Sequence, residues 1–422
     1  MMNPILLGRE ARAYMIDLWL KDKNLLVLSI HANIPGDTKN LSEAFLLVHF
    51  FEYHIQSIVH TLSCERFFND DGPYTLCYIQ HDHPVSLKQT LVSLEDHHPL
   101  GRMIDLDLYD QMNHYSRNTL NLLPRKCYLC EDIAHHCIRS KKHSIEELRE
   151  YVFVQVKDFL LKEVIHIASK AMMEELNLED KFGLITPSSA GSHDDMDYEL
   201  MLKAQKVILP YFQKLFLLGY ESDALYHLFD QAREIGLEAE KDMLNETQGI
   251  NCYKGLIFVL GWLMVSIGYV LKHHQTVDHI FTNVHHMTHA LFDDFNRPPT
   301  TFGEKAYQTY QITGARGEAY LGFPSIHHAL HILEHQPKND QTLRMVLKTL
   351  ILATDDTVML KRSGTLENYQ KIKKMFVDLD PTDLHQVKEL THYMIQERLS
   401  FGGAADLLIG TLVVHEIQRQ YL

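Results

Sequence analysis

Apolar residues recur with two different rhythms along the 422-residue chain. In the first 150 residues, short apolar runs alternate with helical stretches. Residues 25–30 form a β-rich run that closes on the Pro35-Gly36 turn. Residues 41–62 place apolar side chains at helical spacing. Asn69-Asp70-Asp71-Gly72-Pro73 is a turn, after which residues 74–80 read as a strand and 86–95 as a helix. Gly101 opens a further strand over 102–109. Strands interleaved with helices predict an α+β domain. From about residue 146 the spacing is helical throughout, over 146–171, 197–219, 222–235, 255–272, 279–295, 342–354 and 383–398. These segments predict an all-α domain. The chain therefore reads as two domains, 1–150 and 151–422, joined by a short or helical connection.

Composition narrows the class. Hydrophobic residues make up 45% and charged residues 23%, as in ordinary globular proteins. The formal net charge is −15, and residues 1–150 carry 15 Lys and Arg against 20 Asp and Glu. Both halves are acidic, which argues against a broad nucleic-acid face. The longest uncharged run, residues 255–271, has 17 residues and is expected as a buried core helix, not a membrane span. Residues 1–20 carry Arg9, Glu10, Arg12 and Asp17, unlike the apolar core of a signal peptide. A soluble, cytoplasmic protein is expected, without a membrane partner. Six cysteines in so long a chain do not read as a disulfide framework.

The sharpest local feature of the first half is Gly101-Arg102-Met103-Ile104-Asp105-Leu106-Asp107-Leu108. On a strand, Asp105 and Asp107 share one face while Ile104 and Leu106 share the other. Two adjacent carboxylates ionise together when a cation lies between them, and Mg²⁺ also binds phosphates. Downstream, residues 125–144 hold five Lys or Arg and three His within 20 residues. Arg125, Arg139, Lys141 and Lys142 in this cluster suit a phosphate or pyrophosphate. Cys127, Cys130 and Cys137, with His135 or His136, are candidate zinc ligands, although the ligands crowd into eleven residues and reduced packing cysteines are the favoured reading.

Gly-Arg-Met-Ile-Asp-Leu-Asp, followed by Arg125-Lys126-Cys127-Tyr128-Leu129-Cys130 and by Ala134-His135-His136-Cys137-Ile138-Arg139-Ser140-Lys141-Lys142-His143-Ser144, resembles the holo-citrate lyase synthase family. The early Gly8-Arg9-Glu10-Ala11-Arg12 fits as well. Members are apo-citrate lyase phosphoribosyl-dephospho-CoA transferases. The resemblance implies a nucleotidyltransferase-like fold and chemistry. A serine hydroxyl on the citrate lyase acyl carrier protein (the gamma subunit) attacks a phosphate of a triphosphoribosyl group, and pyrophosphate leaves. It implies metal at Asp105 and Asp107, both also catalytic, and phosphates on Arg102, Arg125, Arg139, Lys141 and Lys142.

The second half carries Gly-bearing polar motifs between its helices. They are Gly191-Ser192-His193-Asp194-Asp195-Met196-Asp197, Gly236-Leu237-Glu238-Ala239-Glu240-Lys241, Gly249-Ile250-Asn251-Cys252-Tyr253-Lys254-Gly255, Gly314-Ala315-Arg316-Gly317-Glu318-Ala319, Asp355-Asp356-Thr357 with Lys361 and Arg362, and Ser400-Phe401-Gly402-Gly403-Ala404-Ala405-Asp406. Glycines beside helix N-termini expose N–H groups to anions. Lys254, Arg316 and Arg362 can neutralise a triphosphate, and the acids can hold Mg²⁺ or act as a base.

In order, these motifs resemble the triphosphoribosyl-dephospho-CoA synthase family over roughly residues 155–422. That family joins ATP to 3′-dephospho-CoA and releases adenine. The resemblance implies a catalytic carboxylate from Glu238, Glu240 or Asp356, in that order, with Glu238 and Asp356 also candidate metal ligands. It implies substrate contacts at His193, Lys254, Arg316, Glu318, Arg362, Gly402 and Gly403. The chain departs from the family pattern at Thr186, Tyr253 and Val358, so no metal role is expected at Thr186. The whole reads as a bifunctional enzyme that makes and attaches the citrate lyase prosthetic group. Alternatives are a metal-dependent nucleotide hydrolase, a non-catalytic interaction protein, or the equivalent enzyme for the malonate decarboxylase carrier.

Overall fold

Strands β1 (Leu26–Ala32), β2 (Thr61–Asn69), β3 (Gly72–Ile79), β4 (Ile104–Tyr109) and β5 (His114–Tyr115) form one antiparallel sheet in the order β2-β3-β1-β4-β5. The computed structural model describes residues 3–21 and 25–422. In it the chain divides into two units, the first running to Lys162 and taking in Arg419–Leu422, the second being Glu163–Gln418. Strand β1 lies in the middle of the sheet and is covered on both faces, so it reads as a nearly continuous apolar run. Strand β4 alternates strictly, with Ile104, Leu106 and Leu108 fully buried and Asp105, Asp107 and Tyr109 on the opposite face. Edge strand β2 is mostly open and lacks a clean alternation, so the sequence pattern does not show it, and the helical spacing of 41–62 overlaps its start.

Helices α1 (Pro4–Leu20), α2 (Ser42–Ile58), α3 (Pro84–His97) and α4 (Ala134–Ser140) belong to this first unit. Helix α2 buries Leu46, Leu47, Phe50, Phe51 and Ile55, and α3 buries Leu87, Leu91 and Val92. Across the sheet, α1 sets Ile16 and Trp19 against Val27, Tyr74, Leu76 and Tyr109. The second turn of α1 meets the β2–β3 hairpin at Gly8. A methyl group there would lie 2.6 Å from the Asp71 amide nitrogen and 2.7 Å from Asn69 Oδ1, so only glycine allows the approach. Cys64 and Cys77 are directly opposed in the β2–β3 register and are disulfide-bonded. This corrects the expectation of unpaired cysteines at one pair, because cross-strand register cannot be read from sequence spacing.

His98 packs among Phe50, Phe51 and Phe159, with ring centroids 5.3, 5.1 and 5.3 Å away. Burial, then the neighbouring His54, hold its imidazole down from 6.5 to about 4. The folded state thus favours neutral His98. Its contribution to stability is complete above the unfolded value of 6.5 and is lost as pH falls from there toward 4. The urea midpoint is expected to fall across that window, and His98→Gln to flatten the fall.

Helix α5 (Ile145–Asn177) supplies residues to both units. The second unit continues with α6 (Tyr198–Tyr220), α7 (Leu228–Glu246), α8 (Lys254–Lys272), α9 (Val277–Met287), a 3₁₀ segment (His289–Asn296), α10 (Phe302–Tyr310), α11 (Gly314–Tyr320), α12 (Pro324–His335), α13 (Asp340–Ala353), α14 (Thr357–Ser363), α15 (Leu366–Met375), α16 (Leu384–Gln396) and α17 (Gly402–Tyr421). Helix α8 is long and apolar enough to cross a membrane by length and composition, but it is mostly buried inside this unit, as expected for an all-round apolar core helix. It crosses α6 backbone to backbone. A methyl on Gly219 would run into the Val265 carbonyl, and one on Gly268 into the Phe216 carbonyl. Gly268→Val is therefore expected to destabilise by about 1–3 kcal/mol or more, read as a lower urea midpoint. Helix α7 begins six residues later than the predicted 222–235 segment and runs straight through Gly236.

Candidate functional site

In the first unit the site is the polar end of one sheet face. The β1–β4 register sets His31 opposite Asp105 and Ser29 opposite Asp107, and further along Val27 opposite Tyr109. The face thus passes from apolar to charged within three residue pairs. Helix α1 follows the same gradient: Ile16 joins the apolar cluster, and Arg12, one turn earlier, reaches Asp71 at 3.0 Å. Asp71 is 1% exposed and also meets Arg9 at 3.1 Å, while His31 Nε2 lies 3.0 Å from its backbone carbonyl. Burial, then the charge of Arg12, hold His31 down at about 4.

The carboxylates are set from the other side by α3. Beyond the two-residue β5, the edge of β4 is open. There the Leu106 N–H donates to Glu95 Oε1 at 2.8 Å, and Lys88 Nζ donates to the Leu106 carbonyl. Glu95 and Lys88 are both 1% exposed, so this strand edge is closed by a buried acid and a buried base seven residues apart on one helix. Arg125 bridges Glu95, at 2.6 Å, and Asp105. Asp107 lies 3.5 Å from Lys88 Nζ and 3.7 Å from His114 Nε2. Burial would raise its pKa, but the hydrogen bond from His114 and the charges of Lys88 and Arg125 outweigh it and hold the carboxyl at about 2. Both aspartates keep open surface, 35% for Asp105 and 40% for Asp107. Arg102 donates to the Lys126 carbonyl and lies over the Tyr128 ring at 5.0 Å. Arg12 Nη1 and Arg102 Nη1 are buried without a hydrogen-bond acceptor among the described residues.

Arg139, Lys141 and Lys142 stand apart from this face, on and just after α4, and all three are exposed. Lys142 pairs with Asp132. Around them Cys127, Cys130, Cys137 and His143 bring their ligand atoms within 4.8 Å of one another. The fourth member of the cluster is His143; the expected His135 and His136 are exposed on α4 and outside it. The His143 hydrogen bond, then the Asp132 amide, hold the Cys130 thiol down at about 6, whereas burial, then Cys130, push Cys137 up to about 12.

In the second unit the motifs gather around the N-terminus of α8. Lys254 faces a cleft of about 190 Å³ lined by Arg233, Gly236, Leu237 and Glu240 from α7, by Phe258 and Trp262 from α8, and by Asp294 and Arg316. Lys254 Nζ lies 2.5 Å from Glu240. Arg316 lies 3.1 Å from Glu304 and 3.8 Å from Asp294. The positions 233, 236, 237 and 240 share one face of α7. Glu238 points elsewhere: it is exposed and lies 4.0 Å from Lys214.

Gly255, the next residue, presents its bare backbone to the Asp406 carboxylate, which a methyl group would strike. Asp406 keeps part of its surface open, yet burial, then Asp356 and Glu175, push its carboxyl well above the usual range. Asp356, expected as a metal or base carboxylate, instead caps two helices. Its Oδ1 accepts the Val358 and Met359 amides at 2.8 and 2.9 Å, and its Oδ2 accepts the Ala404 amide at 3.1 Å, with Gly403 beside it. A methyl group on Gly402 would lie 3.5 Å from Val358. Arg362 donates to the Ser192 and Arg398 carbonyls and lies 2.9 Å from His193 Nδ1. Burial, then Arg362, hold His193 down at about 4. Glu318 accepts from Ser325 Oγ at 2.6 Å, and burial raises its pKa. Tyr253, where the family pattern has histidine, is buried and accepts from Gln205 Nε2 at 2.9 Å.

Sequence reasoning missed Arg12, His31, Asp71, Lys88 and Glu95 in the first unit, and Asp294 and Glu304 in the second; Asp406 stood in a candidate motif without a role of its own. Gly8 and Gly255 were the available signals, since each glycine marks where another segment comes against the backbone.

The comparisons with known proteins divide the chain in the same order. Residues 1–159 match the CitX family, apo-citrate lyase phosphoribosyl-dephospho-CoA transferase, and residues 161–422 match the CitG family, ATP:dephospho-CoA triphosphoribosyl transferase. A Leuconostoc mesenteroides subsp. cremoris protein named CitXG is 28% identical over 448 aligned residues, covering 97% of this chain and 95% of its own length. A Haemophilus influenzae CitXG is 32% identical, covering 78% of this chain and 76% of its own. A probable 2-(5''-triphosphoribosyl)-3'-dephosphocoenzyme-A synthase of Lactiplantibacillus plantarum is 34% identical over 60% of this chain and 96% of its own length. The chain belongs to the CitX family in its first part and to the CitG family in its second, as a fusion of the two.

Proposed function

We propose that the second unit joins ATP to 3′-dephospho-CoA with release of adenine at the Glu240–Lys254 cleft, and that the first unit transfers the product to the citrate lyase acyl carrier protein at the Asp105–Asp107 face. The observation that carries the first assignment is one cleft that combines two carboxylates, three cationic side chains and the Phe258 and Trp262 rings. Lys254, Arg316 and Arg233 suit a triphosphate, and the rings suit a base. A ribose hydroxyl of dephospho-CoA forms the new bond to C1′ of the ATP ribose as the bond to adenine breaks. Glu240 takes the hydroxyl proton and steadies positive charge at C1′. The departing adenine takes up one proton from solvent, so the step balances. The triphosphate stays on the product.

In the first unit, the carrier serine oxygen bonds to the α-phosphorus while the bond to the β-phosphate oxygen breaks and pyrophosphate leaves. The unsatisfied N–H groups of Arg12 and Arg102 are donors for those phosphates. Arg125 fixes Asp105, and Lys88 with His114 keeps Asp107 anionic. Two half-open carboxylates on one strand face fit a hard divalent cation. Mg²⁺ held there would bind phosphate oxygens and offset charge on the leaving pyrophosphate. An Asp-x-Asp strand in a small antiparallel sheet also supports a nucleotidyltransferase-like reading of this unit. Glu238 and Asp356 do not fit as a metal pair: Glu238 is exposed beside Lys214, and backbone amides occupy the Asp356 oxygens.

Mass spectrometry of the full chain with Mg²⁺, ATP and 3′-dephospho-CoA tests this reading. Adenine release that requires dephospho-CoA, with three phosphates on the product, is expected. Adding apo-carrier is expected to yield the modified carrier and pyrophosphate. Release of ADP or phosphate without adenine would overturn the assignment.

A further inference from the structure

The Cys127, Cys130, Cys137 and His143 cluster lies apart from the chemistry assigned to either unit. Its construction is local. Lys126 and Ile133 form an isolated antiparallel bridge, flanked by hydrogen bonds from the Cys127 amide to the Asp132 carbonyl at 2.8 Å and from the Ala134 amide to the Arg125 carbonyl at 2.9 Å. This short hairpin turns Cys127 and Cys130 to the same side. Helix α4 then brings up Cys137. It ends at Lys141, whose left-handed backbone (φ 50°) redirects the chain and returns His143 to the sulfurs.

We propose that these four side chains form a structural zinc site. The distances support it. A tetrahedral centre with ordinary zinc–sulfur and zinc–nitrogen bonds has edges of about 3.8 Å between sulfurs and about 3.6 Å between sulfur and nitrogen. Here Cys130 Sγ and Cys137 Sγ are 3.5 Å apart, and His143 Nε2 is 3.3 Å from Cys130 Sγ. These two edges lie within a few tenths of an ångström of those a bound ion would set. The donor set is three sulfurs and one imidazole, which selects zinc over the hard cations suited to Asp105 and Asp107. Four protein ligands leave no open position, so the site is structural, not catalytic. Binding displaces the thiol protons. A centre with three thiolates carries net charge −1, in a segment where Lys142 and Lys126 are paired with Asp132 and Glu131. Packing thiols would lie in an apolar pocket, but only Cys137 is buried, and charged Glu131, Asp132 and Lys142 surround the others.

The site has a consequence for the transferase face. Arg125, two residues before Cys127, is the side chain that holds Asp105 and Glu95. Ordering the 125–143 segment therefore positions Arg125.

The test is the metal content of the full chain, purified under reducing conditions without added metal. One zinc per chain is expected, lost in Cys137→Ser, diminished in His143→Ala and retained in His135→Ala, His136→Ala and Cys252→Ser. Cobalt in place of zinc is expected to give the intense thiolate charge-transfer band and d–d bands of a tetrahedral site. If Cys137→Ser fails to fold, wild-type zinc content and zinc protection of three thiols from alkylation decide the matter. Protein without zinc that takes up neither zinc nor cobalt when reduced would overturn the proposal. So would a Cys130–Cys137 disulfide in protein freshly isolated from reducing cytoplasm, or zinc retained in His143→Ala but lost in His135→Ala.

Discussion

Asp107→Asn is expected to abolish carrier modification while leaving adenine release at the wild-type rate. Asp107 is the carboxylate with the strongest reason to be charged: His114, Lys88 and Arg125 hold it at about 2 against the effect of burial. A side chain kept anionic this firmly, yet 40% open, serves a cation or a polar substrate better than it serves the fold. The amide keeps the shape and can still accept from His114, so folding is expected to persist. Transfer of the phosphoribosyl-dephospho-CoA group to the carrier should fall at least about 10²–10³-fold, the range for losing one preorganised electrostatic group. Asp105→Asn should act similarly, with an added loss of order because it releases Arg125. The measurement is carrier mass after incubation with pre-made triphosphoribosyl-dephospho-CoA. Wild-type modification by Asp107→Asn would remove the metal role from this face.

How much of this was legible depends on whether a feature is local. Asp105 and Asp107 stand two residues apart on a strand with buried Ile104, Leu106 and Leu108 between and beside them, so their shared face follows from period alone. The partners of that face do not. Asp71 reaches Arg12 and His31 only through the β2–β3 hairpin and the close seat of Gly8, contacts separated by tens of residues. Apolar α8 was legible because a 17-residue uncharged run admits few readings. Helix α7 was misplaced because Gly236 reads as a helix end, whereas here it is the small residue in a cleft wall. The motif list was legible as a list, but its geometry was not. Glu238 and Glu240 look equivalent in sequence, and about half a helical turn separates an exposed residue from a cleft carboxylate. His143 was passed over as a zinc ligand because His135 and His136 are nearer to Cys137, and only the turn at Lys141 shows which imidazole returns.

That contrast between two neighbouring glutamates gives the second large effect. Glu240→Gln is expected to lower the rate of adenine release by about 10²–10⁴-fold, the usual contribution of a positioned general base. The loss should appear in kcat, with the KM for ATP little changed, because Lys254, Arg233 and Arg316 still face the triphosphate. Lys254→Met should show the opposite emphasis, a raised KM, since it removes a cation and leaves Glu240 without its 2.5 Å partner. Glu238→Gln, on the exposed side of α7, should remain within a few-fold of wild type. Carrier modification from pre-made intermediate should be unchanged in all three variants, because none touches the Asp105 face. Wild-type adenine release by Glu240→Gln together with a large loss in Glu238→Gln would move the chemistry out of the cleft to the exposed face of α7.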